Sequence, residues 1–255
     1  MRSARRKSQL ALALDAGVSA RHLSFVESGK SQPSQEMVVR LADALGLPLR
    51  ERNAMLIAAG YAPPYRETDL AGPDLEPARR AIELILKHHE PFPAFVMNRY
   101  WDLLLANDGA GRFFHWLRDG ASSKPNVVHQ IFDPLDVRSS IANWDEVAGE
   151  VVRHLHDDIA AAPLDRKLKA LLDETLSYPG VPSQWRTSKP RAAPGSLLTS
   201  VFRKGAAEVC FFSTITRFAT PSDVTLEEVR IESMFPADEE SAELCRQLSS
   251  DSETS

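Results

Sequence analysis

Residues 8–60 repeat one pattern, in which a helix-starting residue is followed by a helix-forming stretch and then by a glycine. The starts are Ser8, Ser19, Ser34 and Pro48, and the stops are Gly17, Gly29, Gly46 and Gly60. A serine before a helix can accept a hydrogen bond from a free backbone N–H, and proline suits the first turn. Glycine adopts the left-handed conformation that commonly ends a helix. The segment is therefore predicted to form consecutive short helices.

The stretch SQLALALDAGVSARHLSFVESGKSQPS has the spacing of a helix-turn-helix. Gly17 provides the tight turn, and the small side chain of Ala13 lets the two helices approach at their crossing. The predicted core positions are Val18, Leu23 and Val26. The opposite face of the second helix carries Arg21, His22, Ser24 and Phe25. That face is the one that would enter a DNA major groove.

Charge is distributed unevenly along the chain. The protein has a net charge of −5, but residues 1–50 contain eight Lys and Arg against four Asp and Glu. The first 50 residues are therefore basic and the rest is acidic. Because phosphates attract basic surfaces, this asymmetry places any DNA contact near the N-terminus. Chance clustering of the charges is the alternative.

The pattern S-Q-x-x-L-A-x-x-A-G-V-S-x-x-x-L-S-x-x-E-x-G resembles the XRE family of helix-turn-helix regulators. The resemblance implies that Gln9 contacts phosphate at the start of the first helix. It also implies base contacts, with the guanidinium of Arg21 as the best candidate for reading guanine. The complete candidate DNA-binding set is Gln9, Ser19, Ala20, Arg21, His22, Ser24, Phe25, Ser28 and Lys30. A generic helical hairpin is the structural alternative.

The sequence before Ser8 departs from the family pattern. A helix that supplies aliphatic core residues is expected there, but MRSARRK contains none. Either the true start lies upstream, or DNA binding is weakened in this chain. Arg2 stands where the family places an arginine that faces the glutamate corresponding to Glu27.

The rest of the chain is predicted to form an α+β domain over residues 90–248, a small antiparallel sheet with helices on one face. Residues 1–61 form the DNA-binding domain, residues 62–89 a linker and connecting helix, and residues 249–255 a disordered tail. A hairpin is predicted over residues 92–107, a loop over 179–195, and β-rich segments at 196–202, 208–218 and 225–235. Helices are predicted at residues 108–117, 127–132, 136–143, 145–161, 165–177 and 238–248.

Four segments of this domain resemble the MmyB-type regulator domain, which is PAS-like and binds ligands. They are EPFPAFVMNRYWDLLLAN, FDPLDVRSSIANWDEVA, LSYPGVPSQW and FSTITRFATPSDVTLEEVRIESMFPAD. The resemblance covers about residues 88–248, and it implies no catalytic mechanism. Such a domain commonly follows an XRE helix-turn-helix, which is the order found here.

Many large apolar side chains in this domain suggest an apolar pocket with a few polar groups. The candidate ligand-binding residues are Phe95, Met97, Leu103, Phe113, Phe132, Arg138, Asn143, Trp144 and Phe212. Arg138 would hold the carboxylate of an acidic ligand such as a fatty acid, and Asn143 a carbonyl. Plain core packing of the aromatic residues and a surface ion pair of Arg138 are the alternatives.

The sequence thus predicts a cytoplasmic, homodimeric one-component regulator that binds double-stranded DNA and a small-molecule effector. It predicts no membrane contact, no metal site, no required cofactor and no enzymatic activity. The histidine-containing runs 154–158 and 88–90 and the glycines at 109 and 111 lack the spacing of a catalytic or dinucleotide motif. An antitoxin-like interaction partner and a haem- or flavin-bearing sensor are the alternative functions.

Overall fold

The computed structural model describes residue 2 and residues 7–118, 124–187, 190 and 197–253. Its first part is a helical bundle. The helices are α1 (Gln9–Asp15), α2 (Ala20–Glu27), α3 (Gln35–Ala44) and α4 (Leu49–Ala58). Each helix lies inside a segment that the sequence predicts to be helical, and α1, the turn and α2 form the predicted helix-turn-helix.

The predicted capping residues act as caps. The hydroxyls of Ser8, Ser19 and Ser34 accept hydrogen bonds from the backbone N–H groups three residues later, at 3.1, 3.4 and 3.2 Å. Gly17 has a φ of +62°, which makes the turn between α1 and α2. Leu23 of α2 is buried against Leu12 and Leu41 in the core of the bundle. Truncating such a leucine to alanine costs about 2–5 kcal/mol.

The proline-rich segment after α4 has no regular secondary structure but is held in place by side-chain hydrogen bonds. The side chain of Asn53 donates to the carbonyl of Tyr65 at 2.6 Å and accepts from its N–H at 3.2 Å. The Thr68 hydroxyl donates to the carboxylate of Asp223 at 2.6 Å. This segment therefore packs against both the helical bundle and the C-terminal domain, and it leads through a short 3-10 turn into α5 (Glu76–His88).

The C-terminal domain is built on a five-stranded antiparallel sheet. Its strands are β1 (Ala94–Met97), β2 (Leu103–Ala106), β3 (Thr199–Lys204), β4 (Ala207–Thr216) and β5 (Arg230–Pro236). The order across the sheet is β2-β1-β5-β4-β3. The last strand in sequence is therefore the central one, and it joins the two hairpins into one sheet. The predicted α+β class is confirmed.

Helices surround this sheet. They are α6 (Asp108–Arg118), α7 (Val127–Phe132), α8 (Trp144–Ala161), α9 (Arg166–Thr175), α10 (Val224–Glu228) and α11 (Glu239–Glu253). On one face, α5 packs Ile82 and Leu86 against Val96 and Ile231. The opposite face and the helices α6 to α8 enclose the main core. The prediction of helices on one face only is wrong. Odd- and even-numbered strand residues point to opposite faces of the sheet, and because both include apolar side chains, both faces are packed against helices.

Four predicted elements differ from the structure. The predicted strand 225–235 begins with α10, because the carboxylate of Asp223 caps a helical turn by accepting the Thr225 N–H at 2.8 Å. The predicted helix 136–143 is only a 3-10 turn, Val137–Ser140. The predicted loop 179–195 contains a 3-10 turn at Ser183–Arg186, and residues 188–189 and 191–196 lie outside the described residues. The predicted tail is helical to residue 253, as the end of α11, and residues 254–255 also lie outside the described part.

Candidate functional site

The outer face of α2 presents the predicted DNA-contacting side chains. Leu23 points into the core, whereas Arg21, His22 and Phe25 are exposed. The guanidinium of Arg21 lies 5.5 Å from the centre of the Phe25 ring, so the two side chains form one projecting surface. Ala20 and Ser24 flank it and are half-buried, and Ser19 caps the helix at its N-terminal end.

Among the described residues of the bundle, charge pairing leaves the side chains of Arg21 and Lys30 available. Lys7 pairs with Asp15, Arg40 with Glu36, and Arg52 with Asp43. Within the described part of the chain, Arg21 and Lys30 have no acidic partner. Both are exposed, as is Ser28 between them in sequence, whose hydroxyl donates to the Phe25 carbonyl at 3.2 Å. Unpaired cations on one surface suit phosphates and base edges.

The side chains of Arg2, Gln9 and Glu27 form a small cluster beside α2. Arg2 Nε and Gln9 Nε2 each donate to the Glu27 carboxylate at 2.7 Å. The hydrogen bond from Arg2 lowers the pKa of Glu27. The predicted contact between Arg2 and Glu27 is therefore present. Gln9, predicted to contact phosphate, donates to Glu27.

A buried ion cluster joins the helical bundle to the C-terminal domain. Arg99 Nη1 donates to Glu228 at 2.8 Å, and its Nη2 lies 3.3 Å from both Glu51 of α4 and Asp165. The side chains of Arg99 and Glu51 are only 7% exposed. Arg50 of α4 also binds Glu228, at 2.7 Å. A cluster this deep stays strong in salt because water screens it little.

Two further contacts support the same junction. The N–H of Leu49, in the first turn of α4, donates to the Glu227 carboxylate at 2.7 Å. A carboxylate there also interacts favourably with the positive end of the helix dipole. Burial raises the pKa of Glu51, and one of its carboxylate oxygens has no hydrogen-bond partner in the part of the chain that the structure describes. The junction is therefore specific, and it depends on Arg99 for charge balance.

A strained turn connects Arg99 to the interior of the C-terminal domain. The side-chain oxygen of Asn98 accepts the N–H groups of Tyr100 and Asp102 at 2.8 and 3.0 Å. This turn holds Trp101 at a φ of +65°, a conformation that is unfavourable for a bulky residue. Trp101 is buried, its indole nitrogen has no hydrogen-bond partner among the described residues, and its side chain lines a cavity that is partly open to solvent. The chain thus passes from the ion cluster to the cavity wall within two residues.

The cavity has a volume of about 750 Å³ and lies between the sheet and the helices α6 to α8. Its floor includes Phe95, Phe202 and Met234 from three strands, and α6 contributes Phe114. Pockets of roughly 300–1,000 Å³ with mostly apolar walls hold small organic molecules. The space is therefore large enough for such a ligand.

Two acidic side chains face this cavity in different ways. Glu150 of α8 pairs with Arg153 and lies 3.2 Å from the imidazole of His154. Glu232 of β5 has no described cationic partner, and burial raises its pKa. Burial also lowers the pKa of His154, so its neutral form is favoured. The cavity therefore combines apolar walls with a few polar groups.

Two of the predicted ligand-binding residues, Phe95 and Leu103, line the cavity. Met97 is fully buried in the core. Phe113 packs edge-on against Phe211 with ring centres 5.1 Å apart, and Phe132 packs against Trp144 at 5.6 Å. These side chains are part of the structural core, which was the alternative explanation of the aromatic content.

Arg138, Asn143, Trp144 and Phe212 lie outside the cavity lining, which corrects their predicted role. Arg138 lies 3.8 Å over the ring of Trp144 and donates to the carbonyls at 132 and 179. Asn143 donates to the Thr199 carbonyl at 2.7 Å. Phe212 points to the other sheet face. Side chains alternate along β4, and Ser213 and Ile215, which have the opposite parity to Phe212, line the cavity. These polar groups hold backbone segments together instead of facing a ligand.

The cavity residues that the sequence interpretation missed are Trp101, Phe114, His154, Phe202 and Glu232. One sequence signal pointed to Glu232. In the strand segment RIESMF, side chains alternate between the two faces, so the charged Glu232 shares a sheet face with Arg230 and Met234. Arg99 lies within the predicted hairpin 92–107, and its role depends on Glu51, which lies 48 residues earlier. No local pattern in the sequence identifies that contact.

Among the described residues, no three His, Cys, Asp or Glu side chains form a group that could hold a metal ion. The helices of the described part are also too short or too polar to cross a membrane. An exposed helix-turn-helix face and a separate cavity-bearing domain, joined by a buried ion cluster, define a DNA-binding regulator of the ligand-responsive class.

Comparison with known proteins supports this class. The family model of the MmyB-like transcription regulator ligand binding domain matches residues 78–248, and a helix-turn-helix model matches residues 1–52. The chain belongs to the family of MmyB-like transcription regulators, with an XRE-type helix-turn-helix at its N-terminus. Both matches are domains of transcription regulators and neither is a catalytic family.

The other comparisons are weaker. No curated protein matches the chain. A solved structure of an RNA-binding Light-Oxygen-Voltage receptor is 11% identical over 98% of this chain, with a TM-score of 0.26. The chain spans 61% of the length of that protein. A score this low supports neither a shared fold nor a shared function.

Proposed function

We propose that this protein is a one-component transcription regulator whose DNA affinity is set by a small, largely apolar effector. The exposed face of α2 reads DNA in the major groove, and the cavity of about 750 Å³ binds the effector. The proposal is supported by the volume and apolar lining of this cavity, which lies in the domain that follows the DNA-binding bundle. A homodimer would present two α2 helices to successive major grooves, about 34–36 Å apart.

The junction offers a physical route between the two sites. Trp101 lines the cavity, and Arg99 two residues earlier binds Glu51 of the bundle. A ligand that moves the Trp101 side chain also changes the strained turn that positions Arg99. An effector alters DNA affinity only if it prefers one arrangement of this junction over the other.

The test is DNA binding of the full-length protein with and without effector. A duplex obtained by in vitro selection is titrated by fluorescence anisotropy, and apolar compounds are first screened by thermal melting. A compound that binds only the native state at 100 times its Kd adds about 2.7 kcal/mol of stability. We expect such a compound to change DNA affinity by about 5-fold or more.

Gly111 provides a matched control because it lines the cavity and an added Cβ there would meet no atom within 4 Å. Gly111→Phe should occupy the cavity and abolish the effector response, whereas Gly111→Ala tests only the change in helix propensity. Stabilising compounds that bind Gly111→Phe as tightly as the wild type would place the ligand elsewhere. Compounds that bind but leave DNA affinity unchanged would contradict the regulatory role.

A further inference from the structure

One acidic side chain faces the cavity from the centre of the sheet. Glu232 lies on β5, where it pairs with Phe95 of β1 on one side and Ile215 of β4 on the other. Cross-strand partners project from the same sheet face, and all three side chains line the cavity. Glu232 is therefore a half-buried carboxyl group set among apolar side chains on the cavity face of the sheet.

Within the described residues, no cation balances Glu232. Arg230, two residues earlier on the same strand, binds Asp158 at 2.6 Å. Of the cations in the cavity lining, Arg118 binds Asp136 at 2.7 Å, Lys124 binds Asp133, and Arg153 binds Glu150. The hydrogen-bonding neighbour of Glu232 is the neutral hydroxyl of Ser213.

The two histidines of the lining do not supply the missing charge. His154 lies against Glu150, and burial favours its neutral form. His115 is on the exposed side of α6. A largely desolvated carboxylate without a cation is costly, so desolvation raises the pKa of Glu232 and destabilises its charged form. The negative charge becomes favourable when a bound cation accompanies it.

Aromatic rings around the cavity also suit a cation. Trp101, Phe114 and Phe202 line the same space as Glu232 and Phe95. The face of an aromatic ring attracts a positive charge, and this attraction is stronger where water is excluded. An anionic ligand would instead meet these negative ring faces and the Glu232 carboxyl, with each described arginine or lysine of the lining already bound to an acidic side chain.

We propose that the effector is a hydrophobic organic cation, such as an amphiphilic amine, whose positive charge is bound by Glu232. The inference rests on the proposed ligand-binding function of the cavity and names the chemical class of its ligand. It differs from the acidic ligand that the sequence suggested, because Arg138, the expected partner of a carboxylate, does not line the cavity.

The test compares three probes of equal chain length on the full-length protein: decylammonium, decanol and decanoate. Isothermal titration at neutral pH, below the micelle concentration of each probe, measures Kd. We expect decylammonium to bind at least about tenfold more tightly than decanoate, and more tightly than decanol, because a close charge pair in a partly desolvated site is worth more than about 1.4 kcal/mol.

Two substitutions isolate the carboxyl group. Glu232→Gln should remove the preference for the amine and leave decanol binding unchanged. Glu150→Gln is the matched control, since Glu150 lines the same cavity but is already paired with Arg153. It should keep the preference. Thermal melting of each variant verifies that it is folded.

The outcomes separate this inference from the proposed function. If decanol or decanoate binds as tightly as decylammonium, the cation inference is wrong while the ligand-binding function stands. The inference is also wrong if Glu232→Gln retains the amine preference, or if Glu150→Gln loses it equally. If none of the three probes binds, both the inference and the apolar-effector function are contradicted.

Discussion

Replacing Arg99 by methionine removes the cation that holds three carboxylates together at the junction of the two domains. Arg99 contacts Glu228, Glu51 and Asp165 within 3.3 Å, and each of these side chains is at most 10% exposed. Arg50 remains, but it reaches Glu228 and the exposed Glu67 and has no described contact with Glu51 or Asp165. Methionine fills much of the volume without restoring the charge.

The expected cost follows from leaving buried charges without a partner. Removing one member of a buried ion pair typically destabilises a protein by about 3–5 kcal/mol. Here Glu51 and Asp165 both lose their arginine, so we expect a loss in that range. The substitution Arg80→Met removes an exposed ion pair with Glu76 at one-turn spacing and should cost no more than about 0.5 kcal/mol.

Urea denaturation measures the free energy of unfolding, and hydrogen exchange shows where stability is lost. We expect Arg99→Met to lower protection first in α4 and to separate unfolding of the bundle from that of the C-terminal domain. In a double-mutant cycle, Glu51→Gln should cost less in the Arg99→Met background than in the wild type, with a coupling energy of about 0.5–3 kcal/mol. A loss below 1 kcal/mol together with zero coupling would refute the role assigned to Arg99.

Three further predictions concern single side chains. Because burial raises the folded-state pKa of Glu232 above the ordinary 4.5, its contribution to stability is present at low pH. The difference in unfolding free energy between the wild type and Glu232→Gln should therefore shift against the wild type as pH rises above about 4.5. A difference that does not change with pH would argue against a carboxyl group that lacks a balancing cation. Arg138→Ala should cost about 1–3 kcal/mol of stability by removing charged hydrogen bonds to two carbonyls, with decanol affinity unchanged in calorimetry. Lys30→Ala should weaken binding to all DNA sequences alike and reduce the slope of log K against log salt by about 1; sequence-dependent loss would instead indicate a base contact.

The helical bundle could be predicted because its signals are local. Each serine cap and each glycine stop acts within one turn of the chain, so Ser8, Ser19 and Gly17 were sufficient to place α1 and α2. The hairpin over residues 92–107 was predictable for the same reason, since its strands are neighbours in sequence, and residues 196–202 and 208–218 were predicted as strands. The predicted strand start at residue 225 was wrong because the β-branched and apolar composition of the segment was followed, whereas the carboxylate of Asp223 caps a helix there.

The cavity and the junction depend on contacts between distant residues. Aromatic content indicated a large apolar interior, but it did not distinguish Phe113 in the core from Phe114 at the cavity wall. That distinction depends on the rotation of α6 against the sheet. Arg138 looked like a ligand-binding cation because its partners are backbone carbonyls, which leave no trace in the sequence.

Sequence reading by α2 is measured by the ratio of specific to non-specific DNA affinity for the wild type and Arg21→Ala. Duplexes obtained by in vitro selection and scrambled duplexes of equal composition are titrated at one salt concentration. We expect the wild type to prefer the selected sequence and Arg21→Ala to lose about 1–3 kcal/mol of this preference at one base position. No selected sequence, or an equal loss of affinity for both duplexes in Arg21→Ala, would contradict DNA reading by the exposed face of α2.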